Sequence, residues 1–349
     1  MQCSSVEGMM IYTLDLFRSF IKRASKCIML CNWQRESTFL RSIFLIPPVT
    51  SLLTRMLGIL NLNKPPGMSS RDAVNAVVRC TGRKIKVGHA GTLDPIAQGV
   101  LIVLIGKATR LADFVHHYPK SYSGTFRIGY QSNTDDSEGE VVQIEDAPEI
   151  TLGDLQDACS AFIGEIQQVP PRFSAVKING KRAYKLARRG EAVDIPPRQV
   201  TIHNLEVSRY SDPEFDLEMT CSTGTYVRSV GRDLARNLGS QAIMTDLTRS
   251  SIGPFGISDS ISVEELKKLD ANSLEQKLLS PFMAISDAPV IKLNSELVKM
   301  ICNGRFIDDP NGGEQTWLGC TDESGNPIAI LKRTDDGQLR PKVVLRPDV

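Results

Sequence analysis

A glycine-containing turn with a single carboxylate leads directly into the most apolar run of the chain. Residues 87–99, "VGHAGTLDPIAQG", carry only one acid, Asp94, and the aliphatic run "VLIVLI" follows at 100–105. A short, wholly apolar run of bulky residues is typical of a buried strand. The sequence therefore predicts a strand inside the fold, with Asp94 on the turn that precedes it.

Two interpretations of Asp94 are open on these residues. An aspartate directly before a proline is typical of a helix N-cap with proline at the first helical position. The glycines at 88 and 91 favour a functional turn, because a plain cap needs neither unusual backbone conformations nor close approach of a ligand.

Gly106-Lys107, after the apolar run, superficially matches a phosphate-binding loop. That loop needs four residues between its glycines and a Ser or Thr directly after the lysine. Here six residues separate Gly99 from Gly106, and Ala108 follows the lysine. The sequence therefore argues against a phosphate-binding loop at this place.

The net charge and the positions of the cysteines and histidines bear on three kinds of function: nucleic-acid binding, disulfide formation and metal binding. The 349 residues carry a net charge of +1, so a nucleic-acid partner would need a local basic patch. The eight cysteines form no CxxC pair, which indicates reduced thiols in a cytosol-like compartment. The cysteines and the four histidines show no metal-ligand spacing, so we expect no metal.

Residues 1–55 differ in character from the rest. They hold seven Lys/Arg against three Asp/Glu, yet none of the basic residues lies in the first 17 positions, unlike in a secretory signal. Their apolar run "SIFLIPPVTSLL" contains two prolines and is too short to span a bilayer. We interpret residues 1–55 as a disordered extension or the product of a start codon assigned too early, with a transit sequence as the alternative, and we expect no membrane association.

The remaining chain predicts a mixed α+β architecture. Strand-like segments such as "ILNLNK" and "EFDLEMTC" alternate with amphipathic helices such as "RDAVNAVVRC", which follows Ser69 or Ser70 as N-cap. From about residue 289 the pattern changes to short strands separated by turn dipeptides. We therefore expect a large domain over 56–285 and a small β-rich domain over 286–349.

Two further features carry candidate chemistry. Tyr226 and Arg228, after a glycine turn, are either a core tyrosine beside a solvated arginine or a pair that holds a carboxylate. Residues 172–189 hold seven Lys/Arg and no acid around a predicted Asn-Gly hairpin, so they form either a solvated face or a surface for a phosphate backbone. Together with Asp94, these features indicate an enzyme that acts on a nucleotide held in RNA or DNA.

Six segments of the chain resemble one family. They are "NKPPGMSS", "GHAGTLDPIAQGVLIVLIGKAT", "KSYSGTFRIG", "VPPRFSAVKINGKRAYKLARRG", "GTYVRSVGRDLARNLG" and "LTRSSIGPF". Their order and approximate spacing resemble the TruB family, the tRNA pseudouridine synthases that modify the T-loop uridine at tRNA position 55. The resemblance runs from about residue 57 to the C-terminus, and six blocks in order are far more specific than one short motif.

The resemblance implies a fold and a partner. The fold is a pseudouridine-synthase catalytic domain, with a mixed, mainly antiparallel sheet and flanking helices, followed by a PUA-like RNA-binding domain. Residues 165–200 correspond to the insertion that clamps the T-arm of tRNA. Because the guide-RNA-dependent relatives lack that insertion, the resemblance implies a stand-alone, monomeric, cytoplasmic enzyme that requires no guide RNA or protein partner.

The resemblance also implies roles residue by residue. Asp94 stands in the place of the catalytic aspartate, Arg228 in that of the arginine paired with it, and Tyr122 in that of the tyrosine that stacks on the target base. The implied substrate-binding residues are His89, Tyr226, Leu247, Lys64, Lys177, Lys181 and Arg182, with Lys64 in a mainly structural motif.

The implied reaction breaks the N1–C1′ bond of uridine, turns the uracil over and joins C5 to C1′. It involves no redox change and no phosphate transfer, so we expect no cofactor. The base must leave its stack to be reached. Asp94 acts either as a nucleophile at the sugar or the base, or as the base that removes the C2′ proton. Asn63, Ala90 and Phe173 depart from the family's usual residues, and none of them is the proposed reactive group.

Two other functions stay in view. An RNA-binding or RNA-folding protein that clamps the T-arm needs neither Asp94 nor Arg228. A carboxylate-dependent hydrolase needs a second acid beside Asp94, and the sequence places none there. We therefore expect a pseudouridine synthase.

Overall fold

The computed structural model describes residues 56–82, 84–178, 180–191 and 194–346. The interpretation of residues 1–55 as an extension lies outside the described residues, as does Asn179 of the predicted hairpin turn. Within the described ranges, no helix is long and apolar enough to cross a membrane.

The described residues form eighteen strands in four sheets. In chain order they are β1 (Gly58–Lys64), β2 (Val87–Ala90), β3 (Gln98–Ile105), β4 (Lys120–Ile128), β5 (Tyr130–Ser132), β6 (Val141–Gln143), β7 (Gly164–Gln168), β8 (Lys177–Ile178), β9 (Lys181–Arg182), β10 (Arg198–Ser211), β11 (Glu214–Cys221), β12 (Ala242–Ile252), β13 (Phe255–Gly256), β14 (Ile261–Ser262), β15 (Val290–Lys292), β16 (Trp317–Thr321), β17 (Pro327–Arg333) and β18 (Leu339–Val344).

Eight α-helices accompany these strands in the described part of the chain. They are α1 (Ser70–Thr81), α2 (Ala112–His117), α3 (Leu152–Cys159), α4 (Ala183–Ala187), α5 (Val227–Asn237), α6 (Val263–Leu266), α7 (Ala271–Gln276) and α8 (Ser295–Cys302). Four short 3₁₀ helices cover Gly106–Leu111, Ser160–Phe162, Ile257–Asp259 and Pro281–Ile285. Ser69 is the cap of α1, since its side chain accepts a hydrogen bond from the backbone N–H of Asp72.

A ten-stranded sheet forms the centre of the larger part of the fold. Its order is β14-β1-β3-β12-β4-β11-β10-β7, with β13 paired to β12 and β2 paired to β3. Only the β1–β14 and β12–β3 pairs are parallel. The apolar run predicted as a buried strand is β3, whose residues from Gly99 onward are buried. The predicted α+β class, with a mainly antiparallel sheet and flanking helices, is confirmed.

The C-terminal part is a separate four-stranded sheet, in the order β15-β16-β17-β18, with α8 beside it. Its apolar residues, among them Leu318, Ile328 and Leu331, form a small core of their own. Ile330 and Val343 instead pack into a cluster that includes Phe255 of the larger part. The prediction of a small β-rich C-terminal domain is confirmed as architecture.

The packing of α5 against the sheet depends on Gly231. A Cβ atom built on this glycine would lie 2.1 Å from Cε1 of Phe126, which is fully buried and stacked on Phe215 at a centroid distance of 5.3 Å. The ring therefore has no room to move away. This glycine lets the helix approach the sheet closely.

Replacing Gly231 by alanine is expected to destabilise the protein. Alanine in a helix interior is favoured over glycine by about 1 kcal/mol, but overpacking of a core costs about 1–3 kcal/mol, so the clash decides the sign. The free energy of unfolding in urea measures it. Gly153→Ala, at an exposed position of α3 with no atom closer than 3.7 Å to the new Cβ, is the control and should be neutral or stabilising. Equal stabilisation of both variants would contradict the account.

Candidate active site

A cavity of about 270 Å³ opens where the β2–β3 turn, the sheet and the start of α5 meet. Asp94, Tyr122, Tyr226, Arg228 and Leu247 all line it. Five residues singled out from the sequence, far apart in the chain, therefore lie in one pocket. Phe173, Ser174 and Ala175, at the start of the basic stretch, line it too.

Asp94 lies on the turn between β2 and β3. Its backbone C=O accepts a hydrogen bond from the Ala97 N–H at 3.2 Å, which closes the turn, and the chain continues into β3. No helix begins at Asp94, so the N-cap interpretation is wrong. Gly91 has a φ of +89°, a backbone conformation that other residues rarely adopt. The turn therefore depends on a glycine at this position, as expected. The Asp94 side chain is 36% exposed and can be reached from the cavity.

Arg228 connects Asp94 to the body of the protein. Its side chain is only 5% exposed, so the interpretation as a solvated arginine is wrong. Nη2 lies 2.9 Å from Asp94 Oδ2, and Nη1 lies 2.9 Å from Asp136 Oδ2. The guanidinium also donates to the backbone oxygens of Thr134 and Phe173. This fork geometry fixes the guanidinium from several directions, as arginine allows and lysine does not.

Asp136 corrects the expectation that no second acid lies near Asp94. It is 2% exposed, and its Oδ1 accepts hydrogen bonds from the Thr134 hydroxyl and the Glu138 backbone N–H. Both carboxylate oxygens therefore have partners within the protein, which makes Asp136 an anchor for Arg228 and argues against a second reactive acid. The sequence analysis missed it because it lies in a segment that looks like an ordinary polar loop.

A second arginine supports the same loop from α5. Arg232 Nη1 lies 2.8 Å from Asp135 Oδ2, and its Nη2 donates to the Val169 carbonyl. Burial raises the pKa of the Asp135 carboxyl, although the Arg232 charge opposes this. Two successive acids of one loop are thus held by two arginines, Arg228 and Arg232, one helical turn apart on α5.

Tyr226 precedes α5 and is held by Gln168 of β7. The Gln168 side chain is buried; it donates to the Tyr226 carbonyl at 3.0 Å and accepts from its N–H at 2.8 Å. The Arg198 guanidinium lies 5.5 Å from the centre of the Tyr226 ring, within cation–π range. Gln168 therefore fixes the backbone of Tyr226, and Arg198 lies against its ring at the cavity wall.

Tyr122 and Leu247 form the wall contributed by the sheet. Tyr122 lies on β4 and pairs across the strands with Arg249 of β12, and burial raises the pKa of its hydroxyl. Leu247 is almost fully buried, with its Cδ1 over Gly124 of β4. Both positions agree with an aromatic and an apolar surface for a nucleobase.

Lys64 does not line the cavity. It is fully buried, and its ammonium group donates to the carbonyls of Pro65, Met68 and Pro95 at 2.7–3.3 Å. Burial lowers its pKa to about 8. The hydrogen bonds of its ammonium group all go to internal carbonyls, one of them on the turn next to Asp94. A contact of Lys64 with substrate stays a prediction.

His89 and the three predicted hairpin cations lie outside the cavity lining. His89 is on β2, where burial and the nearby Arg71 charge lower its pKa, and among the described residues its buried Nδ1 has no hydrogen-bond partner. Lys177 of β8 and Lys181 and Arg182 of β9 are exposed on the predicted hairpin. Their contact with substrate stays a prediction.

Two buried cations at the cavity were missed by the sequence analysis. Lys120 donates to the carbonyls of His116 and Tyr118, and burial together with the Arg249 charge lowers its pKa to about 8. Arg249 donates to the carbonyls of Gly91, Thr92 and Val100. Nothing in the sequence distinguishes either residue from a solvated surface cation. In the described ranges, no group of three or more His, Cys, Asp or Glu could hold a metal ion.

Known proteins resemble this chain along most of its length. Residues 79–227 match the family described as TruB family pseudouridylate synthase (N terminal domain). The chain is 39% identical over 298 residues to tRNA pseudouridine synthase B of Synechocystis sp., an alignment covering 83% of this chain and 100% of that protein. The chain belongs to the TruB family. The resemblance seen in six sequence segments, and the enzyme class that it implied, are thereby confirmed.

Other members of the TruB family show the same extent of similarity. The chain is 38% identical over 286 residues to tRNA pseudouridine synthase B of Caldanaerobacter subterraneus, covering 82% of this chain and 98% of the relative. It is 37% identical over 295 residues to the protein of that name from Pseudomonas aeruginosa, covering 83% of this chain and 96% of the relative. The similarity thus extends over nearly the whole length of these relatives.

Two solved structures share the fold of this TruB family member. An archaeal box H/ACA sRNP Nop10-Cbf5 complex matches with a TM-score of 0.62 and 19% identity, covering 86% of this chain and 89% of that chain. A Cbf5-Nop10-Gar1 complex matches with a TM-score of 0.61 and 20% identity, covering 86% and 88%. At these identities the likeness concerns the fold alone.

Proposed function

We propose that this protein isomerises uridine to pseudouridine in tRNA. The relatives named tRNA pseudouridine synthase B match it over 96–100% of their length at 37–39% identity. The observation that carries the proposal is the cavity, in which one partly exposed carboxylate, Asp94, is held by the buried guanidinium of Arg228. A carboxylate in a fixed position is the reactive group that an isomerisation without cofactor needs.

We further propose that the target uridine enters the cavity as a flipped-out nucleotide. A volume of about 270 Å³ is near the lower end for ligand pockets and admits a single nucleotide but not a duplex. Extrusion costs a few kcal/mol, and stacking on an aromatic side chain returns about 1–3 kcal/mol per base. Tyr122 offers that surface, and Leu247 extends it as an apolar part of the same wall.

The reaction can then be assigned to this chain's own groups. Asp94 either attacks the sugar or the base or removes the C2′ proton, and Arg228 holds its carboxylate at the reacting atoms. The uracil is released from C1′ at N1, turns over and is joined through C5. The hydrogen at C5 leaves as a proton and N1 takes up a proton, so the product is an isomer of the substrate. Tyr122, Tyr226 and Leu247 retain the base while it turns.

The basic stretch is proposed to clamp the T-arm of the tRNA and so to select the T-loop uridine at position 55. Its hairpin presents Lys177, Lys181 and Arg182 to solvent, without an ion-pair partner among the described residues. Its first residues line the cavity, and the Phe173 carbonyl accepts from Arg228. A backbone-binding surface thus joins the proposed reactive centre directly. With this clamp, residues 165–200, the protein would act without guide RNA or protein partner.

Replacing Lys177, Lys181 and Arg182 together by alanine should weaken tRNA binding in a salt-dependent way. Each phosphate contact contributes about 0.7–0.9 to the slope of log K against log salt concentration, so the slope should fall by about two to three. Fluorescence anisotropy with labelled tRNA over a salt series measures it. Alanine at the exposed Lys267, Lys268 and Lys277 removes the same charge elsewhere; an equal change of slope in both triples would contradict the clamp.

The site agrees less well with a hydrolase or with an RNA-binding protein without catalysis. A hydrolase with two reactive acids is disfavoured because both oxygens of Asp136 are occupied by internal donors. An RNA-binding protein without catalysis would not need a partly exposed acid on a buried arginine. Residues 286–349 are proposed to form a PUA-like domain that binds RNA beside the catalytic domain at 56–285. A monomeric state and a cytoplasmic location stay predictions.

Mapping the product tests the position. An unmodified tRNA transcript and one with the T-loop uridine replaced by cytidine are incubated with the protein, and pseudouridine is located by carbodiimide modification and primer extension. We expect one stop, next to position 55, in the first transcript only. Equal conversion at other uridines would reject the T-loop assignment and keep the isomerase; no conversion at all would reject the isomerase.

A further inference from the structure

The largest fully buried side chain of the described residues is a charged one, Arg249 on β12, with 1% exposure. No carboxylate of the described part of the chain lies within ion-pair distance of it. A buried cation without an opposite charge is costly unless hydrogen bonds satisfy its donors. The acceptors of Arg249 are therefore informative.

Arg249 donates three hydrogen bonds to backbone carbonyls around Asp94, and its guanidinium also interacts with the Tyr122 hydroxyl, where it opposes the rise in pKa caused by burial. Nη2 donates to Gly91 at 2.9 Å and Nη1 to Thr92 at 3.4 Å, both on the turn that carries Asp94. Nε donates to Val100 at 2.8 Å, on the strand that follows the turn. One rigid guanidinium thus links the entry of the turn to the strand at its exit.

The backbone of Arg249 is fixed independently of its side chain. β12 pairs with β3 through Arg249 and Gly99 and with β4 through Arg249 and Tyr122. The guanidinium therefore starts from the middle of the sheet. Lys64 holds the other side of the turn through the Pro95 carbonyl. The two buried cations fix the backbone before and after Asp94, while Arg228 fixes its carboxylate.

We propose that Arg249 is a positioning residue of the isomerisation, which sets the place of Asp94 by holding the Gly91–Thr92 backbone and that of Tyr122 as its cross-strand neighbour. The inference rests on the proposed function and deepens it. Since Arg249 acts through the turn and not on the RNA backbone, its loss should reduce the rate of the chemical step and leave tRNA affinity unchanged.

The charge of Arg249 reaches its neighbours, as expected of a cation without a counter-charge. Burial, followed by the Arg249 charge, lowers the pKa of Lys120 to about 8. Burial also lowers the pKa values of His89 and His116, and there the Arg249 charge adds less than that of Arg71 and of Lys120, respectively. Lys120 and Arg249 both line the cavity. The guanidinium therefore contributes positive charge to the cavity in addition to that of Arg228.

Arg249→Met and Arg249→Lys test whether the hydrogen bonds of the guanidinium, and not only the space that the side chain fills, are needed for the reaction. Methionine keeps an unbranched apolar stem and removes the guanidinium with every donor, whereas lysine keeps the charge and one donor group. A displacement of reacting groups by about 1 Å costs on the order of 10²-fold in rate, so kcat of Arg249→Met should fall by about this factor. KM and the Kd for tRNA should stay as in the wild type. Arg249→Lys should recover part of kcat.

The control is Arg127→Met, which removes a partly exposed arginine of β4 that is paired with Glu214. Rates are measured in single turnover and divided by the fraction of protein that binds tRNA, so that a partly unfolded preparation is not counted as slow. Added guanidinium ion at sub-denaturing concentration should raise the rate of Arg249→Met and leave that of Arg127→Met unchanged.

The outcomes distinguish this inference from the proposed function. If the wild type itself forms no pseudouridine, the proposed function fails. If the wild type is active and Arg249→Met keeps its kcat, the positioning role is wrong. A loss of kcat that is matched by an equal loss of tRNA affinity, or that disappears after correction for the binding-competent fraction, would likewise overturn it in favour of a role in RNA binding or folding.

Discussion

Replacing Asp94 by asparagine is expected to abolish turnover while leaving tRNA binding nearly unchanged. Asparagine keeps the size of the side chain and a hydrogen-bond acceptor for Arg228, but it offers no carboxylate to attack or to accept a proton. Removal of a reactive group that acts as part of a unit costs several orders of magnitude in kcat, so we expect a loss of at least about 10³-fold. Arg228 keeps Asp136 as its counter-charge, so the fold should survive.

Glu138→Gln is the matched control for this prediction. Glu138 is an exposed acid near the same cluster, and burial together with the charges of Asp136 and Asp94 raises its pKa. It makes no ion pair with Arg228 in the described structure. Its loss should leave most of the turnover intact, measured in the same assay with tRNA affinity determined in parallel. Comparable losses in both variants would show that the site needs negative charge in general and not Asp94 in particular.

Arg228→Met should reduce both stability and turnover. It leaves Asp136 buried without its cation, and breaking a buried ion pair from one side costs about 3–5 kcal/mol. Asp94 loses the contact that fixes its carboxylate, and misplacement of a reactive group costs on the order of 10²-fold in kcat. Urea unfolding and single-turnover kinetics measure the two losses separately.

The double variant Arg228→Met with Asp136→Asn separates the two effects. Without the buried carboxylate, the unfolding free energy should return most of the way to that of the wild type, because removal of both partners leaves no uncompensated charge. The rate should not return, since Asp94 is still unsupported. Recovery of both quantities together would show that Arg228 acts only through stability.

The sequence alone was sufficient to predict those elements whose burial or capping follows from the pattern of neighbouring residues. Six consecutive aliphatic residues could only be a buried segment, and they are β3, between β1 and β12. Ser69, one of the two serines predicted as the cap of α1, is the cap, because its hydroxyl satisfies a free N–H of the first turn. These features depend on neighbours within a few residues.

The support of the site depends on contacts that no local pattern contains. Arg228 and Asp136 are 92 residues apart in the chain, and Arg249 and Gly91 are 158 apart. An arginine or a lysine inside a strand or next to a turn is by type a surface residue, so nothing local indicates that Arg249, Lys64 and Lys120 are buried. Their hydrogen bonds to carbonyls arise only once the sheet is assembled.

The location of Lys64 illustrates the same limit. The family resemblance placed it in a motif at the site, and a cation near an RNA-binding pocket is readily taken for a phosphate ligand. In the structure its ammonium group donates to three internal carbonyls, which the sequence did not indicate, and its contact with substrate stays a prediction. A motif identifies which residues matter more reliably than it identifies what they contact.

Release of tritium from C5 of uridine tests the central claim most directly. Formation of the C5–C1′ bond expels the hydrogen at C5, so a tRNA transcript labelled there reports the isomerisation itself. We expect release by the wild type and by Glu138→Gln, limited to one equivalent per tRNA, and none by Asp94→Asn. Equal release by Asp94→Asn would contradict the role of Asp94, and absence of release by the wild type, with tight tRNA binding, would contradict the isomerase.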